Sequence, residues 1–295
     1  MNLSRRKTLG VLAGGVTLAA TDRKYRVIDP HVHVWKHDPN FPWAKETTRP
    51  PEKDATPEML LELMKANGVE KTVLVQYIGY RWDNRFVAAT LKKYPQYFQG
   101  VARVNPESPA APDDLSRLVA EGFKGVRLSP GADAQGDWIR GKLMPPLWAR
   151  CRQLKVPMLI LAPATRMPDV APLAEREPDL TVVIDHMADC PIDRPDLLEG
   201  LIALKRYPKV FVKVSHTWSL SHQPYPYRDT WAQVKKLYDA FGPQRLMWGT
   251  DWPLVEAKCG YAKALAIVRD EMDFLNAQDR EWMLSRTIEK IWPFA

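Results

Sequence analysis

The chain has little cysteine, no long hydrophobic run and no extended basic segment, and each absence excludes a class of protein. Its three cysteines are too few and too widely spaced for a disulfide framework or a zinc-finger pattern. No segment is apolar enough for a stable membrane span, which takes about 20 consecutive residues. The net charge of +7 is moderate and the longest basic run is Arg5-Arg6-Lys7, so the sequence does not favour a nucleic-acid partner.

Residues 1–25 have the pattern of an export signal followed by a short linker. Arg5 and Arg6 come before a mildly apolar stretch that ends in small residues suited to cleavage. This pattern is similar to a twin-arginine signal, although Thr8 stands where that motif favours phenylalanine. We therefore expect residues 26–295 to form the folded domain and the protein to be exported to the periplasm. The alternative is a basic tail on a cytoplasmic protein.

Beyond residue 25, short runs rich in Val, Ile and Leu alternate with amphipathic segments, and the alternation repeats about eight times. The runs mostly lack a two-residue alternation, as is typical of strands covered on both faces. The predicted strands are Val27–Val34, Lys71–Tyr77, Phe98–Asn105, Phe123–Leu128, Val156–Leu161, Thr181–His186, Val210–Ser215 and Arg245–Thr250. The pattern predicts an α/β fold, a (β/α)8 barrel in a single domain. An open sheet is less favoured because no glycine-rich dinucleotide turn follows the first strand.

Helices are predicted between these strands. The first is bounded by Thr56 and Pro57 at its start and by Gly68 at its end, which are the residue types preferred at those positions. The others are Asp83–Tyr94, Pro112–Glu121, Pro145–Leu154, Pro168–Arg176, Pro195–Tyr207, Asp229–Phe241, Ala262–Phe274 and Gln278–Ile291. Long loops follow the first and seventh strands, on the face where barrel enzymes carry their catalytic residues.

The histidines are the most informative residues of the chain. All six end or follow predicted strands: His31, His33, His37, His186, His216 and His222. His31 and His33 alternate along the first strand and therefore point to the same side. Asp251 follows the last strand, and in a closed barrel the first and last strands are neighbours. We therefore expect His31, His33 and Asp251 to meet at one rim.

Cationic side chains are also predicted on the strands. Arg103, Arg127 and Lys213 lie within or at the ends of apolar runs, where a charge is costly unless it is paired or functional. Arginine can bind a carboxylate through two parallel hydrogen bonds, so the set suits an anionic small-molecule substrate. The alternative is that these cations pair with aspartates such as Asp185 and only stabilise the barrel.

Two kinds of chemistry fit the predicted site. His31, His33, His186 and Asp251 could hold one zinc-like divalent ion with an open position for water, and the ion would polarise a carbonyl. Without a metal, the imidazoles could stabilise an oxyanion while Asp251 accepts the proton of an attacking water. A serine nucleophile is not favoured because the chain lacks a Gly-x-Ser-x-Gly elbow.

Four segments resemble the amidohydrolase-related family of TIM-barrel hydrolases, in particular its lactonase-like branch. They are Ile28–Trp35 (IDPHVHVW), Val183–His186 (VIDH), Val212–Ser215 (VKVS) and Arg245–Pro253. The resemblance covers the chain from about residue 26. Two positions depart from the family pattern. The end of the fifth strand has no histidine, which weakens a metal site, and His216 stands where the family often has glycine.

The resemblance implies a hydrolase that opens a lactone of a small acidic or sugar-derived compound by attack of water. Alternatives are a metal-dependent decarboxylase on the same fold and a non-catalytic exported small-molecule binding protein. In the family, the catalytic positions, which are also the metal positions if a metal is present, correspond to His31, His33, His186 and Asp251. The residues expected to contact substrate are Arg127, Arg103, Lys213, His216, Trp252 and Trp35. One divalent ion or none is compatible with this pattern.

Overall fold

The computed structural model describes residues 25–129 and 138–294. Eight short parallel strands follow one another in sequence order, each next to its neighbour. The strands are β1 (Ile28–Val32), β2 (Lys71–Val75), β3 (Phe98–Val101), β4 (Val126–Leu128), β5 (Met158–Ile160), β6 (Val182–Ile184), β7 (Val210–Val214) and β8 (Leu246–Trp248). All but two of their residues, Lys71 and Gln99, are buried, as strands covered on both faces must be.

Two seams close the sheet into a barrel. Between β3 and β4, Ala102 pairs in parallel with Val126. Between β8 and β1, the amide of His33 donates to the carbonyl of Trp252 at 2.7 Å, and the amide of Asp251 donates to the carbonyl of His31 at 2.9 Å. The predicted (β/α)8 barrel in a single domain is confirmed. The second seam is also where the predicted site residues of the first and last strands meet.

Helices surround the barrel: α1 (Pro57–Asn67), α2 (Arg85–Lys93), α3 (Ala111–Ala120), α4 (Met144–Leu154), α5 (Met167–Arg176), α6 (Leu198–Ile202), α7 (Thr217–Leu220), α8 (Trp231–Phe241), α9 (Gly260–Ala266), α10 (Ala277–Glu281) and α11 (Thr287–Ile291). The boundaries of α1 are those predicted, because the side chain of Thr56 accepts from the amide of Met59 and Gly68 ends the helix with φ 72°.

Several predicted elements differ from the observed ones. The helix predicted over Gln278–Ile291 is divided into α10 and α11 by a π-helical turn at Trp282–Arg286. A second π-helical turn, Ile267–Glu271, continues α9. The short helix α7 inside the loop after β7 was not predicted. The strand predicted to reach His186 ends at Ile184, because the backbone turns into the left-handed region there.

The long loop after β1 is fixed to the loop after β2. The amide of Lys36 donates to the hydroxyl of Tyr80 at 3.0 Å, and that hydroxyl donates to the carbonyl of Lys36 at 2.9 Å. The amide of Ala44 donates to the carbonyl of Gly79 at 3.0 Å, and Trp43 stacks on Tyr80 with 4.5 Å between ring centroids. This loop therefore forms a fixed aromatic wall beside the end of β1.

The predicted export segment lies almost wholly outside the described residues. Tyr25, the first described residue, is already buried against the core. Within the ranges that the structure describes, no helix is both long and apolar enough to cross a membrane.

Candidate active site

His31, His33 and Asp251 lie together at the seam between β1 and β8. The Nε2 atom of His33 is 3.1 Å from Oδ1 of Asp251, and the Nε2 atom of His31 is 3.5 Å from the same oxygen. All three side chains are buried. The Nε2 atom of His31 and Oδ1 of Asp251 make no hydrogen bond to any residue that the structure describes. Two buried polar atoms therefore point at a common centre, as the sequence predicts.

The tautomer of His33 follows from its backbone contact. Its Nδ1 lies 2.7 Å from the carbonyl of Val75, and a carbonyl only accepts, so Nδ1 carries the proton. In the neutral ring Nε2 then has a lone pair, which faces the carboxylate of Asp251. A lone pair and a carboxylate oxygen repel each other at this distance. A proton or a cation between them removes the repulsion, and the pair is thus suited to bind either.

His31 is held neutral by its surroundings. Burial, together with the nearby charge of Lys213, lowers the pKa of His31 to about 3. Its Nδ1 is 2.9 Å from Nζ of Lys213, which also lies 3.1 Å from Oδ1 of Asp185. When Lys213 is an ammonium ion it donates to Nδ1, and the proton of His31 then resides on Nε2. That proton points toward the centre shared with Asp251.

Asp185 anchors a buried charge network below this centre. Nε of Arg127 donates to its Oδ2 at 3.0 Å, and Lys213 contacts its Oδ1. Burial opposes ionisation, but Lys213 and the other adjacent cation, Arg127, hold the pKa of Asp185 well below its usual value. Arg127 and Lys213 thus pair with an aspartate, the alternative left open by the sequence. Within residues 25–129 and 138–294, no group hydrogen-bonds the two terminal nitrogens of Arg127.

His186 and His216 form a second pair of rings beside Asp251. The rings are stacked with 3.5 Å between centroids and 1° between planes. The Nδ1 atom of His186 lies 2.8 Å from the hydroxyl of Ser215. Burial and the charge of His216 lower the pKa of His186 well below its usual value, so this ring is neutral.

His216 bridges two carboxylates. Its Nδ1 is 2.8 Å from Oδ1 of Asp189, and its Nε2 is 2.7 Å from Oδ2 of Asp251. Burial alone would lower the pKa of His216, but the hydrogen bonds to these carboxylates raise it to about 9. The ring is therefore an imidazolium at neutral pH and donates from both nitrogens. In turn, burial opposes ionisation of Asp251, but the hydrogen bond and the charge of His216 hold the pKa of Asp251 well below its usual value.

The residues predicted as metal ligands form overlapping groups of three rather than one group of four. The groups are His31, His33 and Asp251; His31, Asp185 and His186; and His186, His216 and Asp251. The first group combines two imidazole nitrogens, a carboxylate oxygen and buried atoms without hydrogen bonds. Three such ligands with an open position are typical of a catalytic divalent-metal site, so the donor set fits one ion.

Other predicted substrate contacts lie further from this centre. Trp35 and Trp252 are buried and both line a separate groove of about 760 Å³ that includes no histidine. The indole of Trp35 donates to the carbonyl of Lys53 at 2.8 Å. Arg103 is fully buried, donates from Nη2 to the hydroxyl of Ser129 at 3.1 Å, and has its pKa lowered by that burial.

Sequence reasoning missed two residues of the site. Asp189 was outside the predicted set because it reaches His216 only through a left-handed turn, His186–Asp189, in which four consecutive residues have φ between 42° and 57°. Tyr77, just after β2, has its ring 5.7 Å from that of His33. Its position at the end of the predicted strand Lys71–Tyr77 was the available signal. His37 and His222 are on the expected rim but exposed, each paired with a surface aspartate.

The chain belongs to the Amidohydrolase family, whose model matches residues 28–294. It is similar to an L-fucono-1,5-lactonase of Burkholderia ambifaria, with 28% identity over 77% of this chain and 80% of that protein. It is also similar to a 2-pyrone-4,6-dicarboxylate hydrolase of Comamonas testosteroni, with 28% identity over 77% of this chain and 76% of the relative.

Solved structures share the fold. A probable 2-pyrone-4,6-dicarboxylic acid hydrolase of Acinetobacter baumannii, crystallised with citric acid, superposes with a TM-score of 0.79 at 19% identity, covering 90% of this chain and 98% of its own. An amidohydrolase of Burkholderia multivorans with bound zinc superposes with a TM-score of 0.74 at 22% identity, covering 92% and 100%. At these identities the likeness shows the fold, and the expected family and barrel are confirmed.

Proposed function

We propose that this protein is a hydrolase that opens the lactone ring of a small acidic or sugar-derived compound by attack of water. The observation that carries the proposal is the convergence of His31, His33 and Asp251, with two buried polar atoms aimed at one centre. The named activities of the relatives, a sugar lactonase and a pyrone dicarboxylate hydrolase, support the same reaction class.

Asp251 is the proposed base. Its pKa lies well below the usual value, so it is an anion at neutral pH and can accept a proton from water. The oxygen of that water forms a bond to the lactone carbonyl carbon, and the electron pair of the C=O bond moves onto the carbonyl oxygen. The Nε2–H of His31 faces the same centre and can donate to this oxyanion.

Ring opening completes the reaction. The electron pair returns from the oxyanion to the carbonyl carbon, and the bond to the ring oxygen breaks. The ring oxygen takes the proton that Asp251 accepted, which restores the base. Water and lactone thus give one hydroxy acid, with no other reactant needed. His186, neutral and adjacent to His31 at 4.6 Å between ring centroids, is proposed to help orient the carbonyl.

The substrate is proposed to be anionic. The terminal nitrogens of Arg127 make no hydrogen bond to a described residue, and its side chain is 5% exposed. A carboxylate of the substrate could therefore accept two hydrogen bonds there. Lys213, 2.9 Å from Nδ1 of His31, adds positive charge beside the centre, and Trp218, whose ring is 5.0 Å from that of His216, adds an apolar wall.

One divalent ion can be accommodated by His31, His33 and Asp251. When bound, such an ion polarises the carbonyl and lowers the pKa of a water at the open position. Coordination through Nε2 of His31 requires its proton to sit on Nδ1, where Oδ1 of Asp185 lies 3.5 Å away. His33 already has the required tautomer, because its Nδ1 donates to the carbonyl of Val75.

The test combines elemental analysis of the purified protein with a panel of sugar lactones and carboxylated pyrones and lactones. Each substrate is assayed before and after treatment with a chelator, by following release of acid. We expect ring opening of at least one acidic or sugar-derived lactone. Loss of activity with the chelator and its return with zinc would assign the ion a role.

Two results would replace the proposal. Release of carbon dioxide from an aromatic or unsaturated acid, with no lactone opened, would identify a decarboxylase. Tight binding of a panel member with no product from any compound would identify a binding protein with a non-catalytic site. Both alternatives use the same centre, and product analysis distinguishes them.

We also propose that residues 1–25 direct export, on the strength of Arg5, Arg6 and the apolar stretch after them. Cell fractionation of the full chain and of an Arg5→Lys, Arg6→Lys double variant tests this. Periplasmic protein from the full chain and retention of the variant in the cytoplasm is the expected result, and equal distributions would refute it.

A further inference from the structure

His216 occupies a position between the proposed base and a residue at the edge of the site. Its Nε2 donates to Oδ2 of Asp251 at 2.7 Å, while its Nδ1 donates to Oδ1 of Asp189 at 2.8 Å. Its ring lies flat against that of His186 at 3.5 Å. Two hydrogen bonds and a stacked ring allow a single orientation of the imidazole.

The backbone at this position is costly for a histidine. His216 has φ 63° and Asp189 has φ 42°, both in the left-handed region that glycine adopts without strain. Asp251, which accepts from Nε2 of His216, has φ 59°. Strained conformations of this kind cluster where the side chain has a function that the fold must support. The side chain of His216 therefore provides something that glycine at the same position would not.

The side chain of His216 fixes the orientation of the Asp251 carboxylate. The terminal rotation of an aspartate side chain is broad and is not set by its own rotamer preference. In Asp251, Oδ2 is fixed by His216, and Oδ1 consequently faces Nε2 of His33 at 3.1 Å and Nε2 of His31 at 3.5 Å. Without the bond at Oδ2, the carboxylate is free to rotate away from the centre.

We propose that His216, held by Asp189, is a positioning residue that fixes the carboxylate of Asp251 so that Oδ1 points at the centre formed by His31 and His33. The inference deepens the proposed function and rests on it for the role of Asp251 as base. It requires no contact between His216 and substrate.

Three substitutions of His216 test its contacts with Asp251, Asp189 and His186. Glutamine places a side-chain amide near the position of Nε2 and can keep the bond to Asp251. Asparagine places its amide near the position of Nδ1 and can keep only the bond to Asp189. Both remove the ring that stacks on His186 and each keeps one of the two carboxylate bonds, so their difference compares the contact with Asp251 with the contact with Asp189. His216→Gly removes all side-chain contacts and also the backbone strain, which makes it the variant most certain to fold.

We expect His216→Gln to retain kcat within about threefold of the parent, and His216→Asn and His216→Gly to lose about 10- to 100-fold, the range typical when a supporting residue is removed. KM should change less than kcat, because a positioning residue acts through the orientation of Asp251 and not through substrate binding. Asp189→Asn should lose less than His216→Asn. His222→Asn is the matched control, since it removes an exposed histidine–aspartate contact of 2.9 Å made through Nε2 in the same loop and should leave both constants unchanged.

Crystal structures of the three His216 variants give a readout that needs no substrate. We expect the carboxylate of Asp251 to keep its orientation in the glutamine variant and to rotate in the other two. Equal kcat in the glutamine and asparagine variants, or an unmoved carboxylate in the glycine variant, would overturn the inference. If the parent opens no lactone, the proposed function fails, and the crystal structures still decide whether His216 orients Asp251.

Discussion

Asp185 and Asp251 are both buried carboxylates that follow strands of the same barrel, but their partners differ. Asp185 contacts the guanidinium of Arg127 and the ammonium of Lys213, with contacts of 3.0 and 3.1 Å. Asp251 contacts imidazoles, at 2.7 Å from His216 and 3.1 Å from His33. Both have pKa values held well below the usual one.

The difference separates a structural carboxylate from a reactive one. A guanidinium does not release its proton at any working pH, so Asp185 is locked as an anion by its arginine partner. Oδ1 of Asp251, in contrast, makes no hydrogen bond to a described residue and faces imidazole nitrogens, which can carry a proton or bind a metal ion. The surroundings of Asp251 therefore permit exchange of a proton with water, whereas those of Asp185 maintain the barrel.

The largest effect is expected from Asp251→Asn. An amide cannot accept the proton of the attacking water, and general-base catalysis is commonly worth 10²- to 10⁴-fold, so we expect a loss of about a thousandfold in kcat. The measurement is turnover of whichever lactone the parent opens, alongside urea unfolding to show that the variant is folded. Activity within tenfold of the parent would remove Asp251 from the mechanism.

Asp185→Asn should act mainly on stability. The change leaves Arg127 and Lys213 buried without their counter-ion, and breaking a buried pair in this way commonly costs about 3–5 kcal/mol. The free energy of unfolding from urea titration is the measurement. A loss below about 1 kcal/mol, within the range of exposed pairs, would contradict the structural role given to this network.

We expect pH to have a smaller effect on the free energy of unfolding. The pKa of His216 is about 9 in the folded protein, against 6.5 for an unperturbed histidine such as that of the unfolded chain, so the folded state binds the proton more tightly. The resulting stabilisation is fully present below pH 6.5 and is lost as the pH rises through 9. It amounts to about 2 kcal/mol once the full shift is discounted for partial exposure.

This pH effect is measured as the difference in unfolding free energy between the parent and His216→Gln, with a chelator present throughout. The difference should be largest near pH 6 and should shrink as the pH rises to 9.5. A difference that stays constant over this range would show that the proton on His216 does not contribute to stability.

The smallest effect is expected from Asp193→Asn. Asp193 and His222 form an ion pair of 2.9 Å in which the side chains are 73% and 66% exposed, and solvent screens such pairs. The unfolding free energy and the turnover should both match the parent, to within about 0.5 kcal/mol for the former. A larger change would mean that exposure does not distinguish the surface pair from the buried ones.

Part of the site could be predicted from local sequence. His31 and His33 alternate along an apolar run, and Asp251 ends another, so closure of the barrel was enough to bring them together. Asp189 could not be found in this way. Its contact with His216 depends on four consecutive left-handed residues after β6, and none of them is a glycine that would have indicated this conformation. The π-helical turns in the C-terminal helices were also missed. A hydrophobic pattern does not reveal that a turn contains one extra residue.

The sequence by itself determined the eight strands, their order and the side chains at their carboxyl ends, because short apolar runs and helix boundaries are local properties. Only the tertiary structure decided which atoms face each other. It paired Arg127 and Lys213 with Asp185, aimed Nε2 of His33 at Asp251, and placed the His216 ring between two carboxylates. These contacts join residues far apart in the chain, so they follow from barrel closure and loop conformation, which no local pattern encodes.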